Sequence, residues 1–444
     1  MPESSPSASS VAVAGGRSLH PLYPWLVWAT GTLLFCYAFF HRVAPSVMVS
    51  DLMRDFQVGG AILGTLSAFY FYPYALLQIP LGNMLDRWGP RRVIACAAAF
   101  CGLGTAVFAV AGSVEMAYVG RAMIGAGAAF GWIGTLTLIT LWFPPRRFAL
   151  VTGLTSLIGM VGAVGGQAPL AAVVSRFGWR PTLLWASLYG VVLAVIVLRV
   201  VRDRRDDGAG RATAAQHPRL WRSLCEVAAA PQVWAAGLVV ATVSVPLMAF
   251  GGLWGVPYMV QAHGMTRPEA AASMSVILAS WGLGAPILGW LSDRIQSRKI
   301  PILTGTTLSF GAILFLIYVP GLPRWLIFGL LAMNGFAGAA VVTCYAAGRE
   351  NTRAAVSGTT MGLINALSMG LTAIYQPLIG WLLDLGWEGV IDGGARVYSV
   401  ETYQMAFLSL AACGALAVAA ALCMRDTRCR PVGESGKTAA QSLP

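Results

Sequence analysis

The stretch Gly82-Asn-Met-Leu-Asp86-Arg87-Trp-Gly89-Pro-Arg91-Arg92 returns in altered form as Gly289-Trp-Leu-Ser-Asp293-Arg294-Ile-Gln-Ser-Arg298-Lys299. Each copy is a short basic loop between two long apolar stretches. A matching loop in each half of a chain is the trace left by duplication of a multi-helix membrane unit. Working outward from the two copies, apolar stretches of about twenty residues, enough to cross a ~30 Å hydrocarbon core as helix, recur between Pro24 and Met424. They lie near 24–48, 61–81, 93–111, 116–141, 148–174 and 181–200, then near 232–260, 269–290, 300–319, 324–347, 355–384 and 403–424. The longest polar segment, Val201 to Ala230, separates the sixth from the seventh.

The chain is therefore expected to be an all-α membrane protein with 12 transmembrane helices in two pseudo-symmetric six-helix bundles. Its expected parts are a disordered cytoplasmic tail (1–23), an N-terminal bundle (24–200), a central cytoplasmic loop (201–231), a C-terminal bundle (232–424) and a second cytoplasmic tail (425–444). Composition agrees: 57% of the 444 residues are hydrophobic and 11% charged, with a mean hydropathy of +0.68, where a soluble protein carries roughly 25% charged residues. The 51 glycines are spread through the apolar stretches, which suits close helix packing in lipid and favours a bundle over a barrel.

The net charge of +12 raises the question of a polyanionic partner, and the placement of the charges answers it. With both termini inside, 22 of the 30 Lys and Arg fall in cytoplasmic segments and seven outside, with Arg121 alone within a span. That is the positive-inside pattern, and it removes the need for nucleic acid. The expected partners are the lipid bilayer and a small-molecule substrate, with a coupling proton or counter-substrate allowed for and a monomer expected. The setting is the bacterial inner (plasma) membrane. The four histidines, 20, 41, 217 and 263, form no H-E-x-x-H helix, and no paired carboxylate or nucleophile motif lies in a span, so neither an enzyme nor a cofactor or metal is expected. Cysteines 36, 96, 101, 225, 344, 413, 423 and 429 imply no disulfide framework, and the first twenty residues lack the layout of a cleaved leader.

At the first loop the sequence resembles the major facilitator superfamily, whose signature G-x-x-x-D-R-x-G-R-R in loose form fits Gly82 to Val93. The resemblance implies a latch made by Gly82, Asp86, Arg87, Gly89, Arg91 and Arg92, with Asp293 and Arg294 as its counterpart, that biases which side is shut. The second copy departs from the pattern, since Gln296 stands where the first has Gly89. Arg121-Ala-Met-Ile-Gly125-Ala-Gly127 is similar to a second signature of the superfamily. Ser67-Ala-Phe-Tyr70-Phe-Tyr72-Pro-Tyr74 through Gly82, Trp142-Phe-Pro-Pro-Arg146-Arg147, Phe177-Gly-Trp-Arg180 and Gln376-Pro-Leu-Ile-Gly380-Trp-Leu-Leu-Asp384 look like the organic-anion symporter and organophosphate antiporter branches.

Candidate substrate-binding residues follow from polarity inside apolar stretches. Tyr70, Tyr74 and Gln78 share one helical face, which faces either a cavity or a neighbouring helix. Arg121 either serves the cavity or pairs near the outer helix end with Glu115. Arg42 either caps the outer surface or projects into the upper cavity, where the resemblance implies that it holds a negative group. Trp254, Tyr258, Trp281, Asn334, Asn365 and Gln376 are candidates in the second half, with helix-to-helix hydrogen bonds as the alternative. All eighteen acidic residues lie at span edges or in loops, so the cavity is neutral to positive. A secondary transporter working by rocker-switch alternating access on a carboxylate- or phosphate-bearing organic anion is the reading this favours. A dipeptide, amino-acid or siderophore carrier and a transporter-like sensor are the alternatives.

Overall fold

The computed structural model describes residues 22–78, 80–202, 220–353 and 356–429. The expected tails and most of the central loop therefore lie outside the described residues. So do the side chains of Asn83 and Asp86, although both sit in the helix Leu81–Trp88.

Twelve helical segments are long and apolar enough to cross a membrane. Spans 1 to 6 are Tyr23–Val47, Gly60–Leu77, Pro90–Ala109, Val114–Trp142, Leu150–Phe177 and Trp179–Val200; spans 7 to 12 are Pro231–His263, Arg267–Ile295, Lys299–Tyr318, Arg324–Glu350, Ser357–Leu385 and Val400–Cys423. Local chemistry sets several of the ends. Ser113 and Ser399 cap spans 4 and 12 by accepting from the backbone N–H of Met116 and Thr402, groups that a helix start otherwise leaves unpaired. Span 6 turns Leu184, Trp185, Leu188, Val192 and Val195 outward, an apolar surface that hydrocarbon, unlike water, accommodates. The chain is an integral membrane protein.

The repeated loops adopt related turns. Gly89 ends its helix at φ +80, and Gln296 does so at φ +52. A left-handed residue without glycine is strained by about 1 kcal/mol or more, and here the Gln296 side chain ties the turn by donating to the Asp293 carbonyl at 2.6 Å. The substitution in the second copy thus keeps a positive-φ turn.

With twelve spans, the start of span 1 and the end of span 12 lie at the same membrane face, here called the terminal face. The two halves touch at the opposite face and in the middle. Asp51 of the first half pairs with Arg267 of the second at 2.7 Å, and Gln167 in span 5 donates to the Gly251 carbonyl in span 7 at 2.9 Å. That carbonyl lies in a π-helical stretch, Pro246–Trp254, where Pro246 lacks an N–H and the widened turns leave backbone acceptors for side chains. Spans 2 and 11 cross at glycines: a Cβ on Gly60 would sit 2.7 Å from the Gly380 carbonyl oxygen. At the terminal face the helix Leu81–Trp88 packs on its own half, against spans 3 and 4. The described ion pairs and hydrogen bonds between the halves thus gather at the face opposite the terminal one and in the middle of the spans.

Candidate substrate site

Span 1 runs as α-helix to Val43 and then tightens over Ala44–Val47. Just before this change lie His41 and Arg42, adjacent in sequence and therefore turned about 100° apart on the helix. His41 points into its own half, where its ring meets the Thr105 hydroxyl at 3.1 Å and packs against Tyr37. Arg42 points elsewhere and is 5% exposed. Its guanidinium carbon lies 4.4 Å from the ring centre of Phe39, 5.1 Å from that of Tyr74 and 5.8 Å from that of Tyr70. No carboxylate among the described residues pairs with it, and its Nε is buried without a partner. Tyr345 from span 10 is close enough to interact electrostatically with both Arg42 and Tyr74, which brings the second half to the site. Its hydroxyl stands 3.5 Å from Oδ1 of Asn365 in span 11.

Arg121 has a different situation. It is fully buried, donates to the His41 carbonyl at 2.9 Å and the Ser67 carbonyl at 3.3 Å, and lies over the Tyr70 ring. It thereby fastens span 4 to spans 1 and 2 on either side of the site. Gly125, one turn further on, is where the Tyr70 backbone passes; a Cβ there would overlap the Tyr70 carbonyl. Together Arg121 and Gly125 hold Tyr70 against Arg42, and the Tyr70 hydroxyl is fixed by donation to the Ala38 carbonyl at 3.0 Å.

Of the residues singled out in the sequence, Arg42, Tyr70 and Tyr74 form one cluster, with Asn365 reached through Tyr345. Arg121 backs this cluster through the Tyr70 ring, and the others are placed apart from it. Trp254 donates to the Gln376 carbonyl, and the Gln376 side chain donates to the Met248 carbonyl, both at 3.0 Å, stitching span 7 to span 11. Tyr258 donates to the Ile317 carbonyl inside a ring cluster with Phe250, Tyr403 and Phe407. Asn334 and Ser309 exchange hydrogen bonds between spans 10 and 9. Trp281 packs near Gly338, and Gln78 is buried close to the terminal end of span 2.

At the terminal face, Arg91 grips the Leu198 carbonyl at the end of span 6, while Arg87, Arg92 and Arg294 are exposed. Arg298, which follows the second loop, pairs with Asp293 at 2.6 Å and Glu350 at 2.8 Å. Burial pulls its guanidinium down, but the Glu350 and Asp293 carboxylates outweigh this and hold it above the usual arginine range. The chain beyond span 12 joins in: Asp426 accepts from the Ser297 hydroxyl and from the Arg298 backbone N–H. Phe39, Tyr345, Arg298 and Glu350 were not among the sequence candidates. Only their proximity in space marks them.

Two six-helix halves joined at one face, with a buried arginine between them that no carboxylate among the described residues pairs with, define a membrane carrier that exposes its centre to one side at a time. The family profile described as Major Facilitator Superfamily matches residues 30–377 and 248–442. The chain belongs to this superfamily and is a transporter, not an enzyme. It is 25% identical over 302 residues to a Cupriavidus necator protein named for sulfoacetate transport, a match spanning 64% of this chain and 67% of that one. It is 22% identical over 422 residues to an Escherichia coli protein named for galactarate/D-glucarate transport, covering 84% and 89%. A bacterial homologue of the human lysosomal transporter Spinster shares its fold, with a TM-score of 0.76 at 18% identity over 92% of this chain and 98% of that one.

Proposed function

We propose that this transporter moves a small organic anion bearing a carboxylate or similar group, with Arg42 as its charge anchor. The observation that carries the reading is the state of that guanidinium: buried, ringed by Phe39, Tyr70 and Tyr74, with an unpartnered Nε and no carboxylate. A buried charge lacking a counter-charge is destabilising by several kcal/mol, and such a group inside a membrane span marks a substrate path. An anion supplies the missing charge and takes two parallel N–H bonds from the planar fork. Tyr74, Tyr345 and Asn365 then offer hydroxyl and amide groups to the rest of the substrate from both halves. Relatives named for sulfoacetate and for galactarate/D-glucarate support the sign of the charge.

By the positive-inside pattern the terminal face is cytoplasmic, and the protein is then inward-facing. It resides in the bacterial plasma membrane with both termini inside and works as a monomer. With no carboxylate facing Arg42 among the described residues, the coupling partner is a second anion moving the other way.

The test is uptake of radiolabelled sulfoacetate, D-glucarate and tartrate into proteoliposomes. The wild type accumulates at least one of them and Arg42→Gln accumulates none. Transport confined to organic cations, or full activity in Arg42→Gln, overturns the reading.

A further inference from the structure

Span 2 starts without a cap of its own. Its N-cap residue is Gly59, which has no side chain to accept from the first turn, so the N–H groups of Gly60 and Ala61 need an acceptor from elsewhere. They find it in the other half of the molecule. Oδ1 and Oδ2 of Asp384, at the end of span 11, accept from Gly60 N–H and Ala61 N–H, each at 2.9 Å. The same carboxylate accepts from the Tyr398 hydroxyl at 2.6 Å and from Arg396 Nη1 at 3.1 Å. Tyr398 also accepts from Gly60 N–H at 2.9 Å. Burial, and then the neighbouring carboxylate, push the Tyr398 hydroxyl well above the usual tyrosine range, which keeps it a donor.

The contact depends on backbone approach. A Cβ on Gly60 would meet the Gly380 carbonyl, and one on Gly64 would meet the Gln376 carbonyl. Only glycine lets spans 2 and 11 close to this distance, and only at this distance does the Asp384 carboxylate reach a helix start that begins 324 residues earlier in the chain. A negative group at a helix N-terminus also meets the positive end of the helix dipole. At the terminal face, Arg91 bonds to the Leu198 carbonyl and Arg298 to Asp293 and Glu350, each within its own half.

We propose that Asp384 is the positioning residue that holds the outer face shut, by capping span 2 in trans across the two halves. Opening the outer face strips both N–H groups from the carboxylate and leaves Asp384 with Arg396 and Tyr398, which belong to its own half. Asp384 therefore sets the balance between the two facing states rather than the affinity of the substrate site. The inference rests on alternating access and not on the identity of the substrate.

The test reads thiol accessibility on the full chain in membranes, with the native cysteines other than Cys101 replaced by serine and Val47→Cys as reporter. Val47 lines an outer cleft of about 400 Å³ between the halves and is 1% exposed; Cys101 is buried inside the first half and serves as control. Asp384→Asn raises the labelling rate at position 47 by about fivefold or more and leaves Cys101 unchanged. Gly60→Ala, which keeps the carboxylate, gives the same result. An unchanged rate at position 47 in both variants overturns the proposal, and so does an equal rise at Cys101, which reports general loosening. No substrate is needed, so the outcome is independent of the anion reading.

Discussion

Replacing Arg42 by glutamine is predicted to abolish transport with only a small net effect on the stability of the empty protein. The guanidinium has no counter-charge and one buried N–H donor unused, a burden of several kcal/mol for a desolvated ion. Three rings offset part of it, each contributing roughly 0.5–2 kcal/mol. The two terms are of similar size, so removing the charge changes the stability of the empty carrier by no more than about 3 kcal/mol, of either sign. The same substitution removes a buried charge pair with the anion, worth roughly 2–5 kcal/mol, which is a loss of about 30- to 4000-fold in affinity. Arg121→Gln should do the reverse, because it strips donors from the His41 and Ser67 carbonyls, and bonds from a charged donor contribute about 1.5–3 kcal/mol each. Thermal melting of purified protein, run beside proteoliposome uptake, reads both effects. Equal losses of melting midpoint in the two variants would refute the distinction between an anchor and a fastener.

Trp254→Phe removes one hydrogen bond between spans 7 and 11 and should lower stability by about 1 kcal/mol with KM unchanged, checked by melting and by uptake kinetics. If a second anion is the coupling partner, uptake into vesicles loaded with unlabelled anion should exceed uptake into empty vesicles by about tenfold or more, and an imposed proton gradient should not replace the internal anion. Asp426 is pulled up by burial but held below the usual carboxylate range by Ser297 and by backbone N–H groups. Its grip on the Ser297–Lys299 turn is therefore fully present above the ordinary aspartate range and is lost as pH falls through the lowered value. Hydrogen exchange at residues 296–300 should rise in acid and in Asp426→Asn at neutral pH.

The fold was legible because twelve long apolar runs and a repeated loop admit few alternatives in lipid. At the site, the i, i+4 spacing of Tyr70 and Tyr74 placed both on one face, and the structure puts that face on Arg42. The sequence could not separate Arg42 from Arg121. Both are arginines in spans, both lie over rings with a buried, unpartnered Nε, and they differ in their other partners: Arg121 donates to the His41 and Ser67 carbonyls, while Arg42 lies among Phe39, Tyr70 and Tyr74 near Tyr345 of the second half. Trp254, Asn334 and Gln376 looked equally suited to a cavity, but the Trp254 indole N–H and the side-chain amide N–H groups of Asn334 and Gln376 are used in bonds between helices. Hydrogen-bond partners on distant helices leave no local pattern. The outer closure was hidden for the same reason, since Gly60 and Asp384 meet only after two six-helix units pack together.

The central claim is that a negative group belongs at Arg42, and binding to purified protein tests it most directly. Titrating D-glucarate, sulfoacetate and tartrate calorimetrically into wild type and Arg42→Gln should give saturable binding of at least one anion to the wild type and none to the variant. Saturable binding of the same anion to Arg42→Gln with undiminished affinity would contradict the account.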